Sequence, residues 1–152
     1  MNLRHPAFKQ VAALIILFSA GCRKPPRTLV STALAATNVV FEPLLRQPPL
    51  TLSPRQIATV KRIVGRFEAG SRYRVERDIL PSAEGFFVLG NVRFGWVPHM
   101  IYIHDPETKL YFVVDDPALA KMGEAFFKAE GAKPPLQYPS QDQWREILSV
   151  LE

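Results

Sequence analysis

The chain is poor in the residues on which small secreted scaffolds and metal or catalytic sites depend. Only one of its 152 residues is cysteine, Cys22. An intramolecular disulfide and a multi-cysteine zinc site are therefore excluded. His99 and His104 are five residues apart, so a regular strand turns them to opposite faces and leaves no shared metal site. No GxSxG, Walker A, HExxH or GxGxxG pattern occurs. The longest unbroken apolar run of the N-terminal segment, Val11 to Phe18, has eight residues. A bilayer-spanning helix needs about 20. The net charge of +5 is also misleading as a field. Residues 1–27 hold five basic residues and no acid, which leaves fourteen of each sign over residues 28–152. A body without net charge has nothing to draw phosphate in from a distance, which argues against a nucleic-acid partner.

What is present begins at the N-terminus. Arg4 and Lys9 precede the apolar run, and Ser19-Ala20-Gly21-Cys22 follows it. That layout is a charged n-region, a short h-region and a small-residue cleavage site. Over its first 22 residues the chain resembles a bacterial lipoprotein signal peptide, with Ser19 standing where that family usually has leucine. The resemblance implies removal of residues 1–21 and acylation of the Cys22 thiol, so that membrane lipid is the first partner. Arg23, in place of the aspartate that retains such proteins at the inner membrane, implies an outer-membrane address facing the periplasm. Two or three acyl chains would hold the protein firmly, since each buried CH₂ contributes about 0.8 kcal/mol.

Residues 22–52 are expected to form a lipidated tether. Pro25-Pro26 and Pro48-Pro49 stiffen it, and the stretch between Thr28 and Phe41 carries no charge. The alternative is that Asn38 to Phe41 docks on the body as an edge strand or covering strip.

Residues 53–152 are expected to form a single α+β domain: an antiparallel sheet of four to five strands, with an N-terminal helix and two C-terminal helices packed on it. Ser53, Pro54 and Gln56 spell a capping box with proline at the first helical position. Ile57, Val60, Ile63, Val64 and Phe67 then line one arc, opposite Arg55, Arg62 and Arg66. Tyr73, Val75 and Ile79 alternate with charged residues and predict a half-exposed strand over about 72–80. Gly90-Asn91 predicts a tight hairpin between strands 85–89 and 92–97. Asp105-Pro106-Glu107-Thr108 predicts a second hairpin joining 99–104 to 109–115. Asp116-Pro117 opens a helix, and Ser140 with Gln143 caps another.

Carboxylates cluster in sequence at Asp105, Glu107, Asp115 and Asp116, but turn initiation and helix capping already account for Asp105 and Asp116. No cofactor is indicated and no enzyme is expected; a hydrolase would need two of His99, His104, Asp105, Asp115 and Asp116 within hydrogen-bonding reach. Apolar surface is the stronger signal. Ile101, Ile103, Leu110, Phe112 and Val114 form one face of the second hairpin, and His99 falls with them. Met100, Tyr102, Tyr111 and Val113 form the other, which Phe86 and Val88 extend. A sheet that is apolar on both sides needs two covers. If the chain's own helices or tether supply only one, the Tyr102/Tyr111 face is a partner site, with Trp96 at its rim and the arginine stripe of Arg55, Arg62 and Arg66 as a second candidate contact. The expectation is a lipid-anchored envelope protein whose periplasmic domain binds a protein: an accessory subunit of an envelope or secretion assembly, or an inhibitor or immunity protein. A small-ligand or peptidoglycan-binding module is the alternative.

Overall fold

Local punctuation decides most elements of this fold. The computed structural model describes residues 27–68, 73–76, 82–130 and 138–152. Within them the chain is α+β, with helices packed on an antiparallel sheet. In chain order the elements are α1 (Arg27–Ala35), β1 (Val39–Pro43), β2 (Leu50–Thr51), α2 (Pro54–Gly65) and β3 (Tyr73–Glu76). There follow β4 (Gly85–Leu89), β5 (Val92–Val97), β6 (Met100–Asp105), β7 (Leu110–Asp115), α3 (Pro117–Glu130) and α4 (Gln141–Ser149).

Two capping boxes start α2 and α4. The Ser53 hydroxyl accepts from the Gln56 N–H while the Gln56 side chain accepts from the Ser53 N–H, and Ser140 and Gln143 repeat the arrangement. Each satisfies donors that a helix start otherwise leaves unpaired. Asp116 caps α3 by accepting the Ala118 N–H at 2.9 Å. The β4–β5 hairpin turns at Gly90, whose φ of 62° no β-carbon opposes. The β6–β7 loop closes with Lys109 N–H donating to the Asp105 carbonyl at 2.9 Å, and Lys109 takes a φ of 59°.

The sheet has seven strands in the order β2-β1-β4-β5-β6-β7-β3, every neighbouring pair antiparallel. That exceeds the four to five expected, and the surplus comes from the supposed tether. Residues 27–52 belong to the fold. Val30 and Ala33 of α1, Val39 and Phe41 of β1 and Leu50 of β2 are all buried in the core. Its apolar residues pack into the core, so it is not a free spacer. Phe41 is fully buried, and covering a side chain of that size contributes about 1.5–3 kcal/mol. Nor is β1 an edge strand, for it lies between β2 and β4. β3 does lie at an edge, hydrogen-bonded to β7.

One hydrophobic core joins the four described helices to one face of the sheet. The strands present Val39 and Phe41, Phe87 and Leu89, Val92, Phe94 and Trp96, Ile101 and Ile103, and Leu110, Phe112 and Val114. Trp144 of α4 stands at the centre. Its ring centroid lies 5.0 Å from Phe41, 5.4 Å from Phe126 and 5.9 Å from Trp96. Trp96 is fully buried there, which corrects its placement at the rim of a surface site. Residue alternation along β5 sets Trp96 with Phe94 and Val92 against the helices, and the hairpin register fixes that parity.

Candidate functional site

Alternation that turns one set of side chains to the helices turns the other set to the opposite face. There β1 carries Val40 and Glu42, β4 Phe86 and Val88, β5 Arg93, Gly95 and Val97, β6 Met100, Tyr102 and His104, and β7 Tyr111, Val113 and Asp115. Cross-strand register aligns them in rows: Glu42 opposite Phe86, Phe86 opposite Gly95, Gly95 opposite Tyr102, Tyr102 opposite Val113. None of the four described helices lies over this face, since the core residues packed beneath them come from the opposite parity of β1, β4, β5, β6 and β7. Val40, Phe86, Val88, Val97, Met100, Tyr102 and Tyr111 are each partly exposed.

The face is built, not merely left over. Gly95 has no side chain because the Tyr102 ring lies across it: a β-carbon there would collide with the ring. Such cross-strand covering of a strand glycine by an aromatic ring keeps the sheet surface continuous. Tyr102 and Tyr111 meet edge-on with ring centroids 5.6 Å apart, and His104 lies 4.7 Å from Tyr111. Burial of the Tyr102 hydroxyl, with the Tyr111 phenol beside it, pushes its pKa above the usual tyrosine value. Arg93 spans 4.4 Å to the Phe86 ring centroid and 2.8 Å to the Glu42 carboxylate. The pair balances its own charge, and Asp115, exposed opposite Met100, adds a carboxylate at the end of this aromatic and aliphatic surface.

The arginine stripe has a different fate. Arg62 makes a two-pronged contact with Asp116, at 2.9 and 3.2 Å, and Arg66 reaches the same carboxylate at 2.8 Å. Arg66 also donates to the Asp115 carbonyl. The Asp116 side chain is 1% exposed. Burial opposes its ionisation, but the Arg62 hydrogen bond, the Ala118 N–H and the two guanidinium charges outweigh burial and hold its pKa below the usual carboxylate range. Arg62 and Arg66 therefore tie α2 to the start of α3, and Arg55 alone of the three stands exposed without a described ion-pair partner. The stripe is visible in sequence; its target, 54 residues away for Arg62, is not.

The titratable residues that cluster in sequence separate in space. The register puts Met100 opposite Asp115 and Asp105 opposite Leu110. His99, Asp115 and Asp116 thus lie at one end of the β6–β7 hairpin, His104 and Asp105 at the other, about 17 Å away along the strand. Asp105 is buried and its pKa is lowered: burial works against the charge, but the Thr108 hydroxyl, the Glu107 and Thr108 N–H groups and nearby His104 prevail. It organises the turn. His99 is exposed with a φ of 83°. This corrects its expected position beside Ile101 and Ile103, because Pro98 and His99 form the two-residue loop between β5 and β6 and the strand begins one residue later. Among the described residues no group of three His, Cys, Asp or Glu side chains is arranged to hold a metal ion.

A groove of about 380 Å³ runs between α3 and α4, lined by Ala125, Lys128, Gln143, Glu146 and Ile147 among others. Gln143 already donates to the Ala129 carbonyl at 3.3 Å, so the groove holds a capping residue and a pair of surface charges rather than convergent buried polar groups. Among the described residues no helix is long and apolar enough to cross a membrane. Compared with known protein families, with curated proteins and with solved structures, the chain matches none.

Proposed function

We propose that this chain is a lipid-anchored envelope protein whose domain binds a protein partner through the open face of its sheet. The anchor reading rests on the signal-like N-terminus and the position of Cys22. The partner reading is carried by one observation: the face bearing Phe86, Val88, Tyr102 and Tyr111 is apolar, aromatic and covered by none of the described helices. Contiguous exposed apolar surface marks interaction sites, and aromatic side chains dominate the binding energy of such interfaces. A broad sheet face suits a protein surface better than it suits a small molecule, which needs enclosure. An accessory subunit of an envelope assembly, or an inhibitor of a periplasmic protein, would use the face in this way.

Photocrosslinking in intact cells tests the partner reading. A benzophenone side chain at Val88 or Tyr111 should yield one discrete adduct, and the same probe at Glu124 or Ser149 on the helix layer should not. No adduct from the sheet face, or the same adducts from all four positions, overturns it. For the anchor, Cys22→Ser should release the protein from membranes; a variant that still sediments with them overturns acylation as the attachment.

A further inference from the structure

We propose that the α1–α2 side of the helix layer lies against anionic lipid headgroups, so that the open sheet face points away from the membrane. The inference rests on acylation of Cys22 and adds an orientation to it. Arg27 opens α1 five residues after Cys22. Five residues span at most about 17 Å, so the acyl chains hold the start of α1 close to the headgroups. A thirty-residue tether would have left the domain free to point anywhere; a five-residue one does not.

Charge selects which surface meets the lipid. The two helices nearest the anchor and the turn that follows them carry five cations, Arg27, Arg55, Lys61, Arg62 and Arg66, against Glu68, the buried Asp116 and Glu152, whose carboxylate accepts from the Ser53 hydroxyl at the start of α2. Lys61 sits on the flank of α2 that meets α1, donating to the Ala36 carbonyl at 2.6 Å. Arg55 and Arg62 border the outward side of α2 with exposed Ala58 between them, and Arg27 is exposed at the start of α1. By contrast, residues 117–130 and 138–152, which hold α3 and α4, carry three basic and five acidic residues. Arg23 and Lys24 add two more cations beside the anchor. A basic surface is drawn to an anionic leaflet once it comes within about a Debye length. The negative end of the layer is repelled by the same potential. Because every described helix packs on one face of the sheet, seating the α1–α2 side on lipid leaves the Tyr102/Tyr111 face free for a partner.

The acylated protein, reconstituted in vesicles, tests this. Acylation consumes the one native cysteine, so a fluorophore can be placed on Ser31→Cys of α1, Ala58→Cys of α2 or Ser149→Cys of α4, all exposed positions. Quenching by headgroup-labelled lipid in phosphatidylglycerol/phosphatidylethanolamine vesicles should be severalfold stronger at positions 31 and 58 than at 149. The contrast should vanish in phosphatidylcholine vesicles, at about 1 M salt where the Debye length is about 3 Å, and in an Arg27→Glu/Arg55→Glu variant whose melting temperature is unchanged. Equal quenching at all three positions of an acylated protein overturns the orientation and leaves the anchor standing. A contrast of the same size on neutral vesicles overturns the headgroup contact in favour of the tether alone. Absence of acyl mass on Cys22 overturns both this inference and the anchor reading.

Discussion

Phe86 and Phe87 are neighbours on β4, share the same backbone geometry and face two different surroundings. Phe87 is fully buried, its ring 5.0 Å from Phe41 in the layer beneath the helices. Phe86 is partly exposed on the other side, with Arg93 over its ring. Composition along the strand does not separate them, because Gly85-Phe86-Phe87-Val88-Leu89 is apolar throughout. What separates them is the parity of the sheet and the presence of helices on one side only. Apolar residues on the covered face lie under the helices; on the open face Val113 is buried as well, while Phe86, Val88, Tyr102 and Tyr111 keep part of their surface available to a second molecule. Truncating each ring in turn separates the two surroundings. Phe87→Ala should cost about 4 kcal/mol, as large-to-small changes in a closed core do. Phe86→Ala should cost about 1 kcal/mol, the scale of a cross-strand pair. Denaturant unfolding of both variants decides it, and equal losses would mean that the open face is a second core.

Charge divides in the same way. On the covered side Asp116 is buried between two arginines and caps α3; on the open side Arg93 and Glu42 are paired in the presence of solvent. Asp116→Ala should cost about 2 kcal/mol, because it removes a helix cap together with the carboxylate that ties α2 to α3. The pH dependence has a definite sign. The folded carboxyl has a lowered pKa, so its contribution is full above the unfolded value near 3.9 and is lost as pH falls through the folded value. Asp116→Asn should therefore be less stable than the native chain at neutral pH and nearly equal to it in strong acid. Melting curves between those limits test this, and a deficit of constant size would point to the cap geometry instead of the charge.

Elements with local signals were readable from the amino-acid sequence alone. Ser53/Gln56 and Ser140/Gln143 each occupy four consecutive residues, and Gly90-Asn91 supplies its own turn, so α2, α4 and the β4–β5 hairpin follow without knowledge of the rest. The two apolar faces of the sheet follow from alternation in the same way. Residues 27–52 escape because their structure depends on distant partners. α1 buries only two residues, Val30 and Ala33, too narrow a stripe to stand out in an uncharged segment. β2 has two residues, and the loop before it passes through left-handed Leu45 and Arg46, with φ of 62° and 57°. Turn chemistry gives no warning of this, since neither residue favours that conformation. Arg62 and Arg66 looked like a surface stripe for a similar reason: the carboxylate that receives them is in another element. Which covering was missing from the second face was likewise a question about where helices pack, which no run of residues contains.

Gly95 tests the open face as a constructed surface. Its missing side chain is the seat of the Tyr102 ring, so Gly95→Ala should displace that ring at a cost of about 2 kcal/mol. Combined with Tyr102→Ala, which removes the obstructing ring, the same substitution should be nearly neutral relative to Tyr102→Ala alone. That non-additivity, read in a double-mutant cycle, is the signature of contact. Additive losses would mean that Tyr102 does not rest on Gly95.

The smallest effect belongs to Arg93, and its smallness is the point. Arg93 is a bridge between Glu42 at 2.8 Å and the Phe86 ring at 4.4 Å, yet its side chain is 56% exposed. Exposed ion pairs contribute up to about 1 kcal/mol and an exposed cation–π contact about the same. The side-chain entropy given up to hold both offsets part of that gain. Arg93→Ala should change stability by about 0.5 kcal/mol, a shift in melting temperature of about 2 °C, and less at high salt. The same substitution should alter the yield of the Val88 adduct, since Val88 lies directly opposite Arg93 in the register. A charged residue that is nearly silent in folding and audible in crosslinking is the open-face counterpart of Asp116. A stability loss approaching that of Asp116 would instead put both charges in the service of the fold and erase the difference between the two faces.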